Sequence, residues 1–409
     1  MRVLHVTHQY RPAIGGSERY FADLSEELSR RGHQVDVATT RSRAIESWRS
    51  ELPTFERLDG VNVRRFRSLQ RGRLGWHALR FGASWHRASG SVLVDVPILF
   101  GTGPLAPGLA WHVWRYGGRY DLVHIQTLPY AHVVYAYACA RAAGRPVVVT
   151  PHIHVDQEDT FDLASFNAVL RGCDVVIAVS KREVPYLLAR GVRSERIVLA
   201  GNGVRLNSLP KCEPVSARKR LGLPPDAFVL LFLGRKESYK GLPTLVRAFS
   251  RSRSAHPSLS LISAGPPTPT SQALRRDYAG LPGWTDLDTV DHAQKVDLLN
   301  ASDVLLLPST GEAFGIVFLE AWAVGKPVVG ARAGAIPWVI DDGRDGFLVA
   351  PDDDRELAQV IDRLARSPEL CRRLGAAGEA KVRQHFTVER IADRIEDAYH
   401  QALAHAGCR

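Results

Sequence analysis

Two glutamates stand eight positions apart in the stretch from Thr310 to Ala321. Glu312 lies in a glycine-containing turn, and Glu320 lies within an apolar run that begins at Ile316. This run has the length of a helix and stops at Gly325-Lys326-Pro327, a glycine C-cap followed by a proline. The residues three and four positions from Glu320 are all apolar, and a carboxylate on such a helix face needs hydrogen-bond donors. We expect a polyhydroxylated ligand to supply them.

The segment before these glutamates, residues 303–309, has the continuous apolar character of a buried parallel strand. A strand, a turn and a helix in this order leave unpaired backbone N–H groups at the helix start, here those of Phe314, Gly315 and Ile316. The helix dipole adds positive potential, which predicts a site for an anionic group. A carboxylate beside it favours a ligand with both an anion and hydroxyls, such as a nucleotide-activated sugar. The alternative is structural: the first glutamate caps the helix and the second pairs with a cation.

A second candidate site follows the apolar strand at residues 228–233. The loop from Gly234 to Gly241 contains two fixed cations, Arg235 and Lys240, at the carboxyl end of a strand, where open α/β sheets bind ligands. Such cations stabilise the charge on a departing nucleoside diphosphate, and removing one preorganised donor typically lowers the rate by ~10²–10³. The alternative is a solvated basic loop.

Two loops in the first half of the chain also follow predicted strands. Gly15-Gly16 lets the backbone approach a ligand closely. His152 comes directly after the strand at residues 147–151 and is followed by His154 and Asp156. A lone histidine is more often structural, whereas two histidines with an aspartate are also a metal-ligand pattern.

Strand and helix patterns alternate in two series, which predicts an α/β protein with two Rossmann-like domains facing a cleft. The first series has predicted strands at residues 3–7, 35–39, 122–126, 147–151, 175–180 and 198–200. The second has predicted strands at residues 228–234, 258–264, 304–307, 328–330 and 347–349. Residues 206–225 are rich in proline, serine and basic residues and are predicted to be a linker.

Length and composition limit the class of protein. The 409 residues are 45% hydrophobic and 23% charged, a globular composition with room for two domains. No window approaches the ~18 uninterrupted apolar residues of a membrane-spanning helix, and the N-terminus has no signal-peptide pattern. Five scattered cysteines without a C-x-x-C pair predict reduced thiols in a cytoplasmic protein and no zinc site.

Positive charge is concentrated in the first half. The formal net charge is +10, and residues 1–200 hold 26 Lys and Arg against 18 Asp and Glu, a net charge of +8. Arginines without any acidic residue interleave with aromatic residues between Gly60 and Val94, as is typical of a lipid headgroup interface. A solvated basic segment is an equal alternative, and no nucleic-acid-binding motif lies nearby. The residues concerned are Arg64, Arg65, Arg67, Arg71, Arg73, Arg80 and Arg87, with Phe66, Trp76, Phe81 and Trp85.

The spacing of Glu312 and Glu320 resembles the E-x7-E motif of the retaining GT-B glycosyltransferases of family 4. The resemblance extends over almost the whole chain, through Gly15-Gly16-Ser17-Glu18, Thr150-Pro151-His152, Asn202-Gly203-Val204 and the loop with Arg235 and Lys240. It implies a GT-B fold with an acceptor-binding domain over residues 1–205 and a donor-binding domain over residues 206–386. A last helix, at about residues 387–409, would cross back to the first domain.

The resemblance also implies a role for each site residue. Glu320 would bind the ribose hydroxyls of the nucleotide, and Glu312 would bind the transferred sugar. The implied catalytic set is His152, Glu312, Arg235 and Lys240. The implied donor-binding set is Gly15, Gly16, Arg235, Lys240, Glu312, Phe314, Gly315, Ile316 and Glu320. No metal and no other cofactor is expected.

The function implied is transfer of a hexosyl group, with retention, from a nucleotide diphosphate-sugar to a glycan or another acceptor. The arginines and tryptophans between Gly60 and Val94 favour a membrane-associated glycolipid or a lipid-linked glycan as that acceptor. The anionic inner face of the plasma membrane would be contacted through the region from Arg64 to Arg87. The alternatives are a sugar-nucleotide epimerase of the same fold and a non-catalytic glycan-binding protein. The chain departs from the family pattern at Arg205, Lys236, Ala313 and Trp338, and the last of these puts donor or acceptor choice in question.

Overall fold

In the computed structural model the chain forms two compact units, residues 1–202 with 388–409 and residues 203–387. The structure describes residues 1–13, 15–43, 48–70, 72–89, 95–155 and 158–407, and of residues 83, 85–89, 158 and 159 it describes the backbone alone. The acceptor and donor roles assigned to the two domains stay predictions.

A sheet of eight strands lies at the centre of the described part of the first unit. The strands are β1 (Arg2–Val6), β2 (Gln34–Thr40), β3 (Phe55–Leu58), β4 (Val61–Phe66), β5 (Leu122–Gln126), β6 (Val147–Thr150), β7 (Val175–Ala178) and β8 (Ile197–Leu199). Their order is β3-β4-β2-β1-β5-β6-β7-β8, and only the edge pair β3 and β4 is antiparallel. β1, β5, β6 and β7 are buried almost throughout, as parallel strands covered on both faces must be.

The helices of this unit that precede its last strand are α1 (Gly16–Arg30), α2 (Arg73–Ser89), α3 (Asp95–Thr102), α4 (Pro107–Tyr116), α5 (His132–Ala142), α6 (Glu158–Phe161), α7 (Ala164–Gly172) and α8 (Glu183–Ala189). Within the described residues of the whole chain, no helix is both long enough and apolar enough to cross a bilayer.

The described residues of the second unit contain a six-stranded parallel sheet in the order β11-β10-β9-β12-β13-β14. Its strands are β9 (Phe228–Leu233), β10 (Leu259–Ala264), β11 (Trp284–Leu287), β12 (Val304–Leu307), β13 (Val328–Ala331) and β14 (Gly346–Val349). Its helices are α9 (Pro214–Arg220), α10 (Leu242–Arg253), α11 (Pro269–Asp277), α12 (His292–Ala301), α13 (Ile316–Ala323), α14 (Ile336–Val339), α15 (Asp354–Ala365) and α16 (Pro368–His385). Two sheets that are parallel except for the edge pair β3 and β4, with helices between their strands, confirm the predicted α/β class.

The predicted linker at residues 206–225 is wrong for its central part, which forms α9. Pro214 stands in the first turn, where its missing N–H costs nothing, and basic residues occupy the last turn. Arg218 of this helix is buried and donates to the carbonyl oxygen of Ala301 at 3.0 Å and to Asp303 at 2.7 Å. These bonds hold α9 against the second unit, so the segment is part of that unit's packing.

Three strands were missed by the sequence pattern, namely β3, β4 and β11. In β4 the inward residues are Val61, Val63 and Arg65, so an arginine stands where a strand pattern requires an apolar residue. Arg65 is 2% exposed, and its guanidinium donates to Glu56 at 2.8 Å and to the carbonyl oxygen of Arg11. This arginine is therefore a buried structural group and no part of a basic surface.

The last helix, α17 (Val388–Gly407), belongs to the first unit, as the resemblance implied. The hydroxyl of its buried Tyr399 lies 2.9 Å from Nε2 of His5 and 2.7 Å from Nδ1 of His124. His124 continues the chain of hydrogen bonds to the hydroxyl of Thr150 at 2.8 Å. This polar network within the unit's interior ties α17 to β1, β5 and β6.

Burial lowers the pKa of His5 to about 3 and that of His124 well below its usual value. Between about pH 3 and pH 6.5 such a histidine is neutral in the folded protein and charged in the unfolded chain, so stability falls as the pH falls through this range. At pH 5 one histidine with the shift of His5 lowers the free energy of unfolding by roughly 2 kcal/mol.

We expect the free energy of unfolding in urea to be smaller at pH 5 than at pH 7, and His5→Gln to weaken this pH dependence. Equal values at the two pH values would contradict the burial of neutral histidines.

Candidate functional site

Two loops at the carboxyl edge of the second sheet are joined through one carbonyl group. The carbonyl oxygen of Tyr239, after β9, accepts from the backbone N–H of Thr310 at 2.8 Å and from the hydroxyl of Ser309 at 3.1 Å, both after β12. Gly241 has a φ of +80°, and a Cβ there would lie 2.2 Å from the carbonyl oxygen of Pro308. Only glycine allows this approach, which brings the two predicted site loops together.

Lys240 and Glu312, one from each loop, form an ion pair in which Nζ lies 2.5 Å from Oε1. Both side chains are largely buried, with exposed fractions of 15% and 10%. Burial by itself would lower the pKa of Lys240, but the charge of Glu312 outweighs it and raises that pKa above its ordinary value. The lysine is therefore a fixed cation. Arg235 lies on the same loop directly after β9 and is exposed.

The helix predicted to begin at Ile316 is α13 in the structure, and Gly315 is its N-cap. Gly315 has a φ of +91°, and a Cβ there would lie 2.6 Å from the ring of Phe318. Phe314 anchors the turn from the other side, because its buried ring contacts Trp338 edge-on at 5.5 Å between ring centroids. Trp338, the departure from the family pattern, thus packs beneath this turn. The carbonyl of Glu312 accepts from the backbone N–H of Ala335 at 3.0 Å, which fixes the same segment.

Glu320 is paired with Lys295 of α12, whose Nζ lies 2.5 Å from Oε1. The structure therefore has the cation pair that the sequence left open as the alternative for this carboxylate. A carboxylate can accept several hydrogen bonds at its two oxygens, so the pair still leaves capacity for a ligand hydroxyl. Sequence reasoning missed Lys295, because nothing within α12 shows which helix it faces.

Lys236 departs from the family pattern at a position that is usually apolar, and the structure accounts for it. Its side chain is fully buried, with Nζ 2.5 Å from Oδ1 of Asp286 and 2.5 Å from the carbonyl oxygen of Leu287. Burial lowers the pKa of Lys236, while the pairing with Asp286 opposes this shift. The pair fastens the loop after β9 to the edge strand β11.

In the first unit, Gly15 and Gly16 lie at the start of α1, with Gly15 as the N-cap in an extended conformation. A Cβ at Gly15 would lie 2.0 Å from Oε2 of Glu18, because this carboxylate folds back over the first turn of the helix. The hydroxyl of Ser17 donates to the same oxygen at 3.0 Å. The loop that was predicted to face donor phosphates thus already holds a carboxylate at the positive end of a helix.

His152 lies beyond β6 with a φ of +54°, a strained conformation for a residue with a side chain. Its Nε2 lies 3.4 Å from Oε1 of Gln126, and burial lowers its pKa to about 3 in spite of the nearby Glu18. The imidazole is therefore neutral near pH 7. His154 stacks on Phe161, and Asp156 lies outside the described residues.

Two profiles of known protein families match the chain. Residues 216–381 match the family profile described as glycosyl transferases group 1, and residues 14–208 match that of glycosyltransferase family 4. A D-inositol 3-phosphate glycosyltransferase of Streptomyces scabiei (strain 87.22) is 31% identical, and the match covers 98% of this chain and 91% of that protein. The chain belongs to the glycosyltransferase family that these two profiles and this relative represent.

Solved structures give the fold of this glycosyltransferase. Sucrose-phosphate synthase from Thermosynechococcus elongatus superposes with a TM-score of 0.74 at 23% identity, covering 99% of this chain and 100% of that one. Alr3699/HepE of Anabaena, in complex with UDP and glucose, has a TM-score of 0.74 at 23% identity, covering 97% and 99%. The predicted GT-B fold class is confirmed.

Replacement of Gly241 by alanine tests whether the close approach of the two loops is required. The Gly241→Ala variant combines a left-handed backbone with a clash against the Pro308 carbonyl, and we expect it to lose roughly 2–4 kcal/mol of unfolding free energy. Gly222→Ala is the matched control, because Gly222 has a φ of +66° and no atom within 4 Å of its Cβ position. Backbone strain alone should cost about 1–2 kcal/mol there. Equal losses in urea unfolding would contradict the role of the Gly241 contact.

Proposed function

We propose that this glycosyltransferase moves a hexosyl group from a nucleotide diphosphate-sugar to a hydroxyl of an acceptor, with retention of configuration. The observation that carries the donor assignment is the meeting of Lys240 with Glu312 beside the start of α13. A buried cation and a helix N-terminus suit a diphosphate, and a carboxylate suits sugar hydroxyls. The UDP and glucose held by the structurally similar HepE support a donor of this class.

Each predicted residue takes a role in this proposal. Arg235 and Lys240 bind the diphosphate, together with the backbone N–H groups of Phe314, Gly315 and Ile316. Glu312 accepts hydrogen bonds from the transferred sugar, and Glu320 accepts them from the ribose while Lys295 holds its other side. Gly15 and Gly16 let the first unit's backbone approach the donor. No metal is needed in this scheme, because fixed cations already meet the diphosphate charge.

The reaction follows from these placements. The bond between the anomeric carbon and the diphosphate oxygen breaks, and Arg235 and Lys240 stabilise the charge that develops on the leaving group. The acceptor oxygen attacks from the same face and forms the new glycosidic bond, while its proton passes to the departing phosphate oxygen. His152 is neutral and orients donor and acceptor by hydrogen bonding, without adding charge.

Thermal shift with UDP, GDP, ADP and their common sugar conjugates tests the donor assignment. A ligand at about 100 times its dissociation constant adds ~2.7 kcal/mol of stability, enough to raise the melting temperature measurably. We expect one nucleotide to stand out, and no shift with any nucleotide would contradict the proposal. Release of free nucleoside diphosphate only when an acceptor is present then separates transfer from epimerisation and from glycan binding alone.

The ribose role of Glu320 has a sharper test. We expect Glu320→Gln to weaken binding of the identified nucleoside diphosphate at least tenfold. We also expect this variant to lose the preference for that nucleotide over its 2′,3′-dideoxy analogue, because the substitution and the analogue each remove the hydrogen bonds between Glu320 and the ribose hydroxyls. Glu379→Gln is the matched control, since Glu379 lies in the same unit and is paired with Lys211, as Glu320 is with Lys295. Unchanged nucleotide affinity in Glu320→Gln by isothermal titration calorimetry would remove the assignment.

We also propose that the acceptor is presented at an anionic membrane on the cytoplasmic side, as a glycolipid or lipid-linked glycan. α2 and α3 pack closely, since Gly82 meets Ile98 and Gly101 meets Leu79. The two helices leave large apolar side chains exposed, namely those of Leu74, Phe81, Val96 and Phe100. The exposed arginines of α2 are Arg73 and Arg80, and α4 exposes Trp111 and Trp114. Arg71 and the side chains of Trp85 and Arg87 lie outside the described residues.

Flotation with liposomes tests this surface. We expect enrichment with phosphatidylglycerol-containing liposomes over neutral ones at moderate salt, and a several-fold loss in Leu74→Ser/Phe81→Ser, whose replaced side chains are 78% and 63% exposed. Leu188→Ser, also at an exposed apolar position of the first unit, serves as the control. Equal recovery with anionic and neutral liposomes would remove the membrane proposal and leave the donor chemistry in place.

A further inference from the structure

The first unit's sheet has a switch point at which the strand order reverses. β1 lies between β2 and β5, so the chain proceeds outward from β1 in one direction and from β5 in the other. Loops that leave neighbouring strands at such a point diverge, and open α/β sheets bind ligands there. His8 follows β1 and His132 opens α5 after β5, so the two histidines stand on either side of this point.

The tautomers of both histidines are fixed by their partners. Nε2 of His8 lies 3.1 Å from Oε1 of Glu18, and Nε2 of His132 lies 2.8 Å from the carbonyl oxygen of Gln126. Burial opposes ionisation of Glu18, but the hydrogen bond from His8 lowers its pKa to about 2, so it accepts as a carboxylate. Each Nε2 therefore carries a proton, and in each ring Nδ1 is the nitrogen whose hydrogen bond must be made with another partner.

Both Nδ1 atoms are buried without a partner. His8 is 1% exposed and His132 is 0% exposed, and neither Nδ1 has a hydrogen-bond partner among the described residues. Burial keeps the pKa of His132 well below its ordinary value, so its ring stays neutral and its Nδ1 is an acceptor. Buried polar atoms are paired in nearly all proteins, which means that two unpaired ring nitrogens in one place need an explanation. Their ring centroids are 5.7 Å apart.

The surroundings suit a sugar or a cyclitol. Tyr130 stacks on His8 with 4.2 Å between ring centroids, and Trp48 meets Tyr130 edge-on at 5.7 Å. Aromatic walls with a few placed polar groups are typical of small-molecule sites. Trp48, Thr127 and His152 also hold positive φ angles of 54°, 73° and 54°, and such strain in residues with side chains clusters at functional sites.

We infer that His8 and His132 form a hydroxyl-binding subsite for the acceptor, in which Nδ1 of each ring makes a hydrogen bond with a hydroxyl of a polyol or sugar. Glu18 and the Gln126 carbonyl hold Nε2 of the two rings, so that Nδ1 is the nitrogen left for this bond. A hydroxyl can donate to the lone pair of His132, which a deprotonated phosphate or carboxylate cannot do, so the subsite takes the neutral part of the acceptor. The inference rests on the proposed function, because it names part of the acceptor site of that reaction.

Glutamine substitutions isolate the two nitrogens. His132→Gln and His8→Gln each keep an amide donor near the position of Nε2 and remove Nδ1, while His112→Gln replaces a buried histidine of α4 as the control. With UDP-glucose as donor and D-inositol 3-phosphate and monosaccharides as acceptor probes, we expect the acceptor KM to rise about tenfold in each variant, with kcat and the Kd of UDP little changed. An unchanged acceptor KM with a lowered melting temperature would mean that the nitrogens bind only a buried water, and would overturn the subsite.

A binding measurement separates failure of the subsite from failure of the proposed function. In the full chain labelled with ¹⁵N-histidine, myo-inositol, glucose, galactose and mannose are added at high concentration without any donor. We expect the ¹⁵Nδ1 signals of His8 and His132, assigned through the two variants, to shift with at least one of them. If UDP fails to bind but these signals shift, the donor proposal falls and the subsite stands. If no polyol shifts them, the subsite falls.

Discussion

The approach of Gly241 to the carbonyl oxygen of Pro308 is the constraint on which the arrangement of the two candidate site loops depends. A side chain at position 241 would collide with this carbonyl, and its absence lets the loops after β9 and β12 meet at the Tyr239 carbonyl and brings Lys240 against Glu312. These two residues are 72 positions apart in the chain, so only the packing of the loops brings them together. Under the proposed function, this packing joins the groups that we assign to the diphosphate and to the sugar in one site.

Buried charges in the second unit come in pairs. Lys236 is paired with Asp286, Lys240 with Glu312 and Lys295 with Glu320. Removing one partner from such a pair is costly, since it leaves an uncompensated charge. The pairs therefore hold these charges in fixed positions before any ligand binds. A site whose dipoles and charges are already oriented stabilises a leaving diphosphate without reorganisation during the reaction.

Several histidines are buried in the interior of the first unit, and burial lowers the pKa of His5, His124 and His132. His5 and His124 satisfy both ring nitrogens, through Tyr399 and the hydroxyls around it. His8 and His132 satisfy only one nitrogen each. This difference distinguishes the network that holds α17 from the pair that we assign to an acceptor. We assign hydroxyl binding to the ring nitrogens that lack a partner, and we propose phosphate and ribose binding for the paired ions of the second unit.

The sequence by itself determined what depends on local periodicity and backbone chemistry. Continuous apolar runs marked the central parallel strands, and Gly315 with the apolar run after it marked the start of α13, because these signals act over a few neighbouring residues. The tertiary structure alone decided which charges meet. It paired Glu320 with Lys295, buried Arg65 in an edge hairpin, and turned a predicted linker into α9. It also left one nitrogen of His8 and one of His132 without a partner. Such contacts join residues from different elements, and their energy depends on how helices and strands pack, which no local pattern of residues records.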